Sequence, residues 1–88
     1  MTDRTTVTMV TFKHPFILTP FDSPQPAGAY RMEVDEERIE GVSFLAYRRA
    51  TTMLHVPTVV HGQRGHKVYI VDFDELSRAL EADALRAD

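Results

Sequence analysis

The 88-residue chain contains no cysteine and no tryptophan. The lack of cysteine excludes disulfides, thiolate metal sites and thiol nucleophiles. Because tryptophan is absent, the aromatic part of the core must come from five phenylalanines and three tyrosines. A chain of this length forms one domain, 1–88, and buries somewhat over about 60% of its unfolded surface, so its margin of stability is small.

Long hydrophobic runs are also missing. No stretch approaches the roughly 20 apolar residues that a transmembrane helix needs. The first four residues are polar and are not followed by the apolar stretch of a secretory signal. We therefore expect a cytoplasmic protein without a membrane partner.

Catalytic signatures are absent from the sequence. None of the three serines lies in a Gly-x-Ser-x-Gly motif, and the segment Gly62–Gly65 lacks the length and the Lys-Ser/Thr of a phosphate-binding loop. The carboxylates fall on predicted turns and on a helix surface, whereas acid–base catalysis needs a desolvated member. The sequence predicts no enzyme, no catalytic residue and no cofactor.

The net charge of −3 is distributed unevenly along the chain. Residues 35–41 and 72–88 are acidic, while residues 42–71 contain no acid and four basic residues: Arg48, Arg49, Arg64 and Lys67. This basic segment could contact a nucleic acid or another anion, or it could pair with the acidic segments inside the fold. Four cations are few for a nucleic-acid binder, so pairing within the fold is favoured.

The alternation typical of a half-buried strand is clearest in residues 28–35. Its inner face is formed by Tyr30, Met32 and Val34. Its outer face carries positively and negatively charged side chains but no ligand signature, so we interpret this strand as scaffold. Gly28 can supply a positive φ at its start.

Two further segments flank this strand. Residues 1–6 are expected to fray, and the β-branched residues of Val7–Lys13 predict a strand with Val10 and Phe12 inward. Asp35–Gly41 is predicted to be a helical turn or a long hairpin loop.

The segment Val42–Val56 is compatible with three structures. It can be a strand covered on both faces, a strand with a bulge near Arg48 and Arg49, or a helix. We prefer the strand with a bulge or strong bend, ending at Pro57. On a regular strand the two arginines point to opposite faces, and one is expected to meet an acid such as Glu33 or Asp72.

The C-terminal part predicts a hairpin and a helix. The glycine-containing connection Gly62–Gly65 separates the β-branched runs Thr58–His61 and His66–Val71. Asp72 with Glu75 resembles a capping box at a helix start. An apolar stripe at helical spacing follows, formed by Phe73, Leu76, Ala79 and Leu80.

These elements predict an α+β domain. We expect a small, curved antiparallel sheet of four to five strands, which could take the form of an SH3-like partial barrel, with one C-terminal helix packed on it. The expected core residues are Val10, Phe12, Tyr30, Met32, Val34, Leu54, Val68, Ile70, Leu76 and Leu80.

Three histidines, His55, His61 and His66, lie within twelve residues. His61 and His66 flank the predicted turn and could face each other, which is how a zinc or nickel site could begin. The spacing matches no metal motif, and cysteine-free structural zinc sites are uncommon. We therefore predict no metal site, and these three histidines are the candidates if one exists.

The proline-containing segment 19–27 is predicted to be a restricted loop. Phe16 and Phe21, in and beside it, are expected to be exposed and to form an interaction surface. Because small sheets have edges that partner strands often cover, we expect a non-enzymatic protein-interaction module that could be a homodimer. The alternatives are a small nucleic-acid-associated regulator that uses the four basic residues, and a metal-binding protein that uses the histidines.

One stretch carries a family resemblance. The run Val10–Phe16, the motif Pro26-Ala27-Gly28-Ala29-Tyr30 and the run Tyr47-Arg48-Arg49 together resemble short, uncharacterised bacterial proteins. The resemblance covers about the first two-thirds of the chain. It implies a small, β-rich bacterial domain and transfers no activity or functional residue.

Overall fold

Residues 4–39 and 46–86 are described by a computed structural model. Four antiparallel strands form one open, curved sheet in chain order, and a helix follows them. The elements are β1 (Arg4–Phe12), β2 (Gly28–Arg38), β3 (Tyr47–Val60), β4 (Gln63–Val71) and α1 (Phe73–Leu85). The predicted α+β class is confirmed. The sheet remains open, with β1 and β4 as its two edges.

Strands β1 and β2 are longer than predicted. Residues 4–6, expected to fray, pair with residues 34–36. The helical turn or loop predicted for Asp35–Gly41 is wrong for residues 35–38, because β2 continues to Arg38. Residues 40–45 lie outside the described part. Cations on the neighbouring strands make the acidic end of β2 compatible with a sheet, since Arg4 contacts Glu36 at 2.9 Å. Gly28 opens β2 with a φ of +149°.

Strand β3 contains the predicted bulge. Asp35 lies opposite Thr51 but Glu36 lies opposite Arg49, so Ala50 is an extra residue on β3. The bulge changes the alternation, and within the segment 42–56 the residues from Tyr47 onward form a strand. Residues 42–45 lie outside the described part.

The prediction that Pro57 ends β3 is wrong. The strand runs on to Val60, and Pro57 lies opposite His66. The ladder between β2 and β3 ends at the pair Arg31–His55, so this part of β3 pairs with β4 alone. A proline is tolerated there because the strand no longer lies inside the sheet.

The connection between β3 and β4 is shorter than predicted. It consists of His61 and Gly62, whose φ angles are +52° and +77°, and positive φ at both positions is the requirement of a type I′ hairpin turn. The expected four-residue connection Gly62–Gly65 is therefore wrong, since β4 already begins at Gln63.

The inward face of β4 is the opposite of the predicted one. Val68 and Ile70, expected in the core, are 47% and 71% exposed. Tyr69 and Val71 point inward, and Val71 is buried. Both faces of this strand are apolar in sequence, so its orientation depends on the hairpin register, which the tight turn sets.

The core lies on one face of the sheet. It is formed by Val10, Phe12, Phe16, Leu18, Phe21, Tyr30, Leu54, Val56, Val71 and Leu76, with Met32, Tyr69, Ala79 and Leu80 packed against it. Its cover comes from α1 and from the segment 13–27, which we call the proline loop.

Phe16 and Phe21 are part of this core, which corrects the expectation that they form an exposed interaction surface. They are only 8% and 7% exposed. The Phe16 ring stacks on Phe12 at a centroid distance of 3.7 Å and meets the edge of Tyr30 at 5.1 Å. The sheet has one face to bury, and the aromatic residues of the proline loop bury it more fully than one helix can.

Helix α1 begins at the predicted cap. The Asp72 carboxylate accepts from the Glu75 N–H at 2.9 Å. The Glu75 carboxylate accepts from the backbone N–H and the hydroxyl of Thr19. It therefore ties the first turn of α1 to the proline loop.

The last turns of α1 are held by Asp83, which is buried. Its carboxylate accepts from the backbone N–H groups of Lys13 and His14, at 2.7 and 2.9 Å, and lies 2.8 Å from Nδ1 of His14. The Lys13 N–H above all lowers the pKa of Asp83, aided by His14 and opposed by burial. In the described ranges, no helix has the length and apolar character that crossing a bilayer requires.

Adjacent residues of the proline loop test its role in the core. Phe16→Ala should lower the free energy of unfolding by about 3–5 kcal/mol, because it removes a stacked ring from the core. Ile17→Ala, at a side chain that is 56% exposed, should change it by about 0.5 kcal/mol or less. Urea denaturation followed by circular dichroism measures both. Equal losses would show that the loop does not pack as described.

Asp83 makes stability depend on pH. Its folded pKa is lowered, so its contribution is present above the unfolded value, about 3.9, and is lost as the pH falls through the folded pKa. We expect Asp83→Asn to lower the melting temperature at pH 7, and its difference from the unaltered protein to shrink toward pH 3. Glu81→Gln, at an exposed helix position, is the control and should have little effect at either pH. A constant difference across this range would contradict the assignment.

Candidate functional site

The four predicted basic residues do not converge on one surface. Arg48 forms an ion pair with Glu37 at 3.2 Å, whereas the Arg49 guanidinium lies 3.8 Å above the ring of Phe73 on the helix side. The two arginines point to opposite faces, as predicted, but the acid is Glu37 rather than Glu33 or Asp72.

Arg64 and Lys67 lie at the hairpin end of the sheet. Arg64 is opposite Val59, eleven positions along β3 from Arg48, which corresponds to roughly 35 Å of strand. Arg64 and Lys67 are an odd number of residues apart on a regular strand, so they also point to opposite faces. The basic segment therefore provides no continuous cationic groove.

The histidines are arranged differently from the prediction. His61 lies in the hairpin turn and His66 lies opposite Pro57, so these two do not face each other across the hairpin. It is His55 and His66 that are neighbours, with ring centroids 5.6 Å apart and planes at 31°. In residues 4–39 and 46–86, no group of three or more histidine or acidic side chains is arranged to hold a metal ion.

The sheet has a second face, which neither α1 nor the proline loop covers; we call it the open face. It carries five of the eight large apolar side chains that are exposed in the described residues: Val7, Met9, Val59, Val68 and Ile70. These side chains lie on β1 and on the β3–β4 side of the sheet, with the polar side chains of Arg31 and Glu33 on β2 between them.

A row of polar side chains crosses the middle of the open face. Arg31 of β2 lies directly opposite His55 of β3. Arg31 Nη2 is 3.2 Å from His55 Nδ1, and His55 Nε2 is 3.1 Å from a carboxylate oxygen of Glu33. An arginine can only donate, so Nδ1 is the acceptor and Nε2 carries the proton that is donated to Glu33. The row therefore fixes the position of the Arg31 guanidinium and one tautomer of His55.

A cleft of about 450 Å³ lies where β2 and β3 separate. Beyond Arg31–His55, β2 continues with β1 and β3 continues with β4, so the sheet divides into two arms. The apolar lining includes Met9, Ala29 and Pro57, and the polar lining includes Arg31, His55 and His66. This is the candidate functional site.

The sequence identified His55 and His66 but missed Arg31 and Glu33. The strand that carries them was interpreted as scaffold because its outer face showed no ligand signature. Arg31 meets His55 only through the β2–β3 register, which depends on a bulge and cannot be derived from either strand alone. The available signal was the surplus of apolar residues on the outer faces of β1 and β4.

Comparison with known proteins adds no assignment. No family model matches the chain, and no curated protein or solved structure is significantly similar to it.

The Arg31–His55–Glu33 row predicts the tautomer of His55. Neutral His55 should carry its proton on Nε2, and long-range ¹H–¹⁵N NMR correlations at pH 8 distinguish the two ring nitrogens. Arg31→Ala should weaken this preference because it removes the donor to Nδ1. His66, which has no such pair of partners among the described residues, is the internal reference. A proton on Nδ1 of His55 would contradict the described contacts.

Proposed function

We propose that this protein is a non-enzymatic interaction module that forms a homodimer through the edge of β1. The observation that carries the proposal is the character of this edge. β1 is a nine-residue edge strand without proline, and it has no charged side chain from Thr5 to Phe12. Such an edge exposes a row of unpaired backbone groups to any strand of similar length.

The other edge is different in kind. β4 carries Arg64, His66 and Lys67 in its first half, and charged residues on an edge strand oppose pairing with another sheet. The contrast between a protected and an unprotected edge supports β1 as the interface.

A second copy of β1 is a suitable partner. With two copies antiparallel about Thr8, Val7 lies opposite the partner's Met9, and Thr5 lies opposite the partner's Thr11. Val7 and Met9 are 54% and 59% exposed in one chain, and pairing would cover both. Apolar and Thr–Thr cross-strand pairs each contribute roughly 0.2–1 kcal/mol.

Charge favours the edge over the open face as the dimer contact. Stacking two open faces would desolvate Arg31, Glu33 and the Glu37–Arg48 pair, and the desolvation of ions costs several kcal/mol each. Pairing two β1 strands leaves these groups in water. The interface is small, so we expect a Kd on the order of micromolar.

Two matched substitutions test the interface. Val7→Lys places a charge on the β1 edge and should convert the dimer to a monomer, as measured by sedimentation velocity over a range of concentrations. Val68→Lys makes the same change on the same face of β4 and should leave the dimer intact. Both sites are exposed, so circular dichroism should confirm an unchanged fold.

Two outcomes would contradict the proposal. A protein that sediments as a monomer up to millimolar concentration has no β1 dimer. A dimer that Val68→Lys disrupts as strongly as Val7→Lys is held by the open face instead.

A further inference from the structure

We propose that the cleft between β2 and β3 binds a small organic carboxylate with a flat, apolar body. This inference does not rest on the homodimer, since the cleft is formed within one chain. It rests on the shape of the divided sheet, on the chemistry of the lining and on the unused donors of Arg31.

The cleft follows from the backbone. The β2–β3 ladder stops at Arg31–His55, while Ala29 still pairs with β1 and Pro57 still pairs with β4. Pro57 has no N–H to continue a ladder toward β2. The space left between the two arms is about 450 Å³, within the range of small-molecule sites.

The lining has an apolar part and a polar part. Met9, Ala29 and Pro57 provide the apolar surface, against which a ring can pack. The His55 and His66 rings, 5.6 Å apart, provide flat polar surfaces. An apolar site with a few convergent polar groups is the usual form of a ligand pocket.

Arg31 supplies the recognition of the anion. Its side chain is exposed, and in the described residues its one polar contact is with Nδ1 of His55. A guanidinium has five N–H donors in a planar fork that fits a carboxylate. The contact with His55 orients the group and leaves donors available.

The neighbouring acid does not occupy these donors. Glu33 contacts the opposite nitrogen of His55 and is not part of the cleft lining. His55 therefore stands between Glu33 and the guanidinium, and an incoming carboxylate meets Arg31 rather than an existing ion pair.

The probe for this site is benzoate, with benzyl alcohol and inorganic phosphate as comparison ligands. In ¹H–¹⁵N NMR titrations of the full chain at pH 7, benzoate should cause saturable shifts at Ala29, Arg31 and His66. Benzyl alcohol lacks the charge and phosphate lacks the apolar body, so each should bind at least about tenfold more weakly.

Matched variants locate the anion contact. Arg31→Gln should weaken benzoate binding at least about tenfold, because it removes a charge-assisted hydrogen bond. Arg48→Gln makes the same change at the far end of β3, outside the cleft, and should bind as the unaltered protein does. Both side chains are exposed, so the fold should be retained.

The inference would be overturned if benzoate up to tens of millimolar caused no saturable shift at the cleft. It would also be overturned if Arg31→Gln left the affinity unchanged, or if Arg31→Gln and Arg48→Gln lowered the affinity equally. Phosphate binding as tight as benzoate would also overturn it, because the apolar lining would then play no part. Because the cleft is formed within one chain, each of these results tests the ligand site and not the dimer.

Discussion

Two carboxylates on one helix hold the cover of this sheet in place. Glu75 binds the backbone and hydroxyl of Thr19 at the start of α1, and Asp83 binds Lys13 and His14 near its end. Both ends of the helix are thus tied to the segment that follows β1. Because small domains have little apolar surface to bury, the joint packing of helix and proline loop over one sheet face decides whether the core forms at all.

A one-sided cover determines what the rest of the molecule can do. The aromatic residues of the core lie on the helix side of the sheet, where Phe16 of the proline loop stacks on Phe12. Within residues 4–39 and 46–86 nothing covers the opposite face, although β1 and β4 both carry large apolar residues there. The burial of Phe16 and Phe21 removes the interaction surface that the sequence predicted in the proline loop, and the open face and the strand edges are the candidate surfaces that the two proposals use.

Local signals in the sequence predicted the elements well. The alternation of Tyr30, Met32 and Val34 defined an inner face, and Asp72 marked the start of the helix. The local signals failed at element ends, where Asp35 and Pro57 did not end β2 and β3, and the assignment of the core failed where it depended on non-local features. Nothing local distinguishes Val68 and Ile70 from Tyr69 and Val71 as core residues, because the choice depends on a two-residue turn. Phe16 and Phe21 are hydrophobic residues beside prolines, and their burial depends on the sheet face that they cover.

The candidate site could be predicted only in part for the same reason. His55 and His66 stood out as residue types, but their proximity requires the β3–β4 register. In the sequence, Arg31 and Glu33 are indistinguishable from ordinary solvent-facing residues, and only the β2–β3 register places them beside His55. A site built from single residues on adjacent strands leaves no motif, because its spacing is set by strand pairing rather than by sequence distance.

The two proposals meet at one side chain. Met9 lines the cleft, and in the proposed β1 pairing it lies opposite the partner's Val7. A two-fold axis perpendicular to the sheet keeps both open faces, and therefore both clefts, on the same side of the dimer. Any difference in the position of Met9 between monomer and dimer is then a difference in cleft shape. By thermodynamic linkage, a ligand that binds the dimer form better must also strengthen the dimer by the same factor.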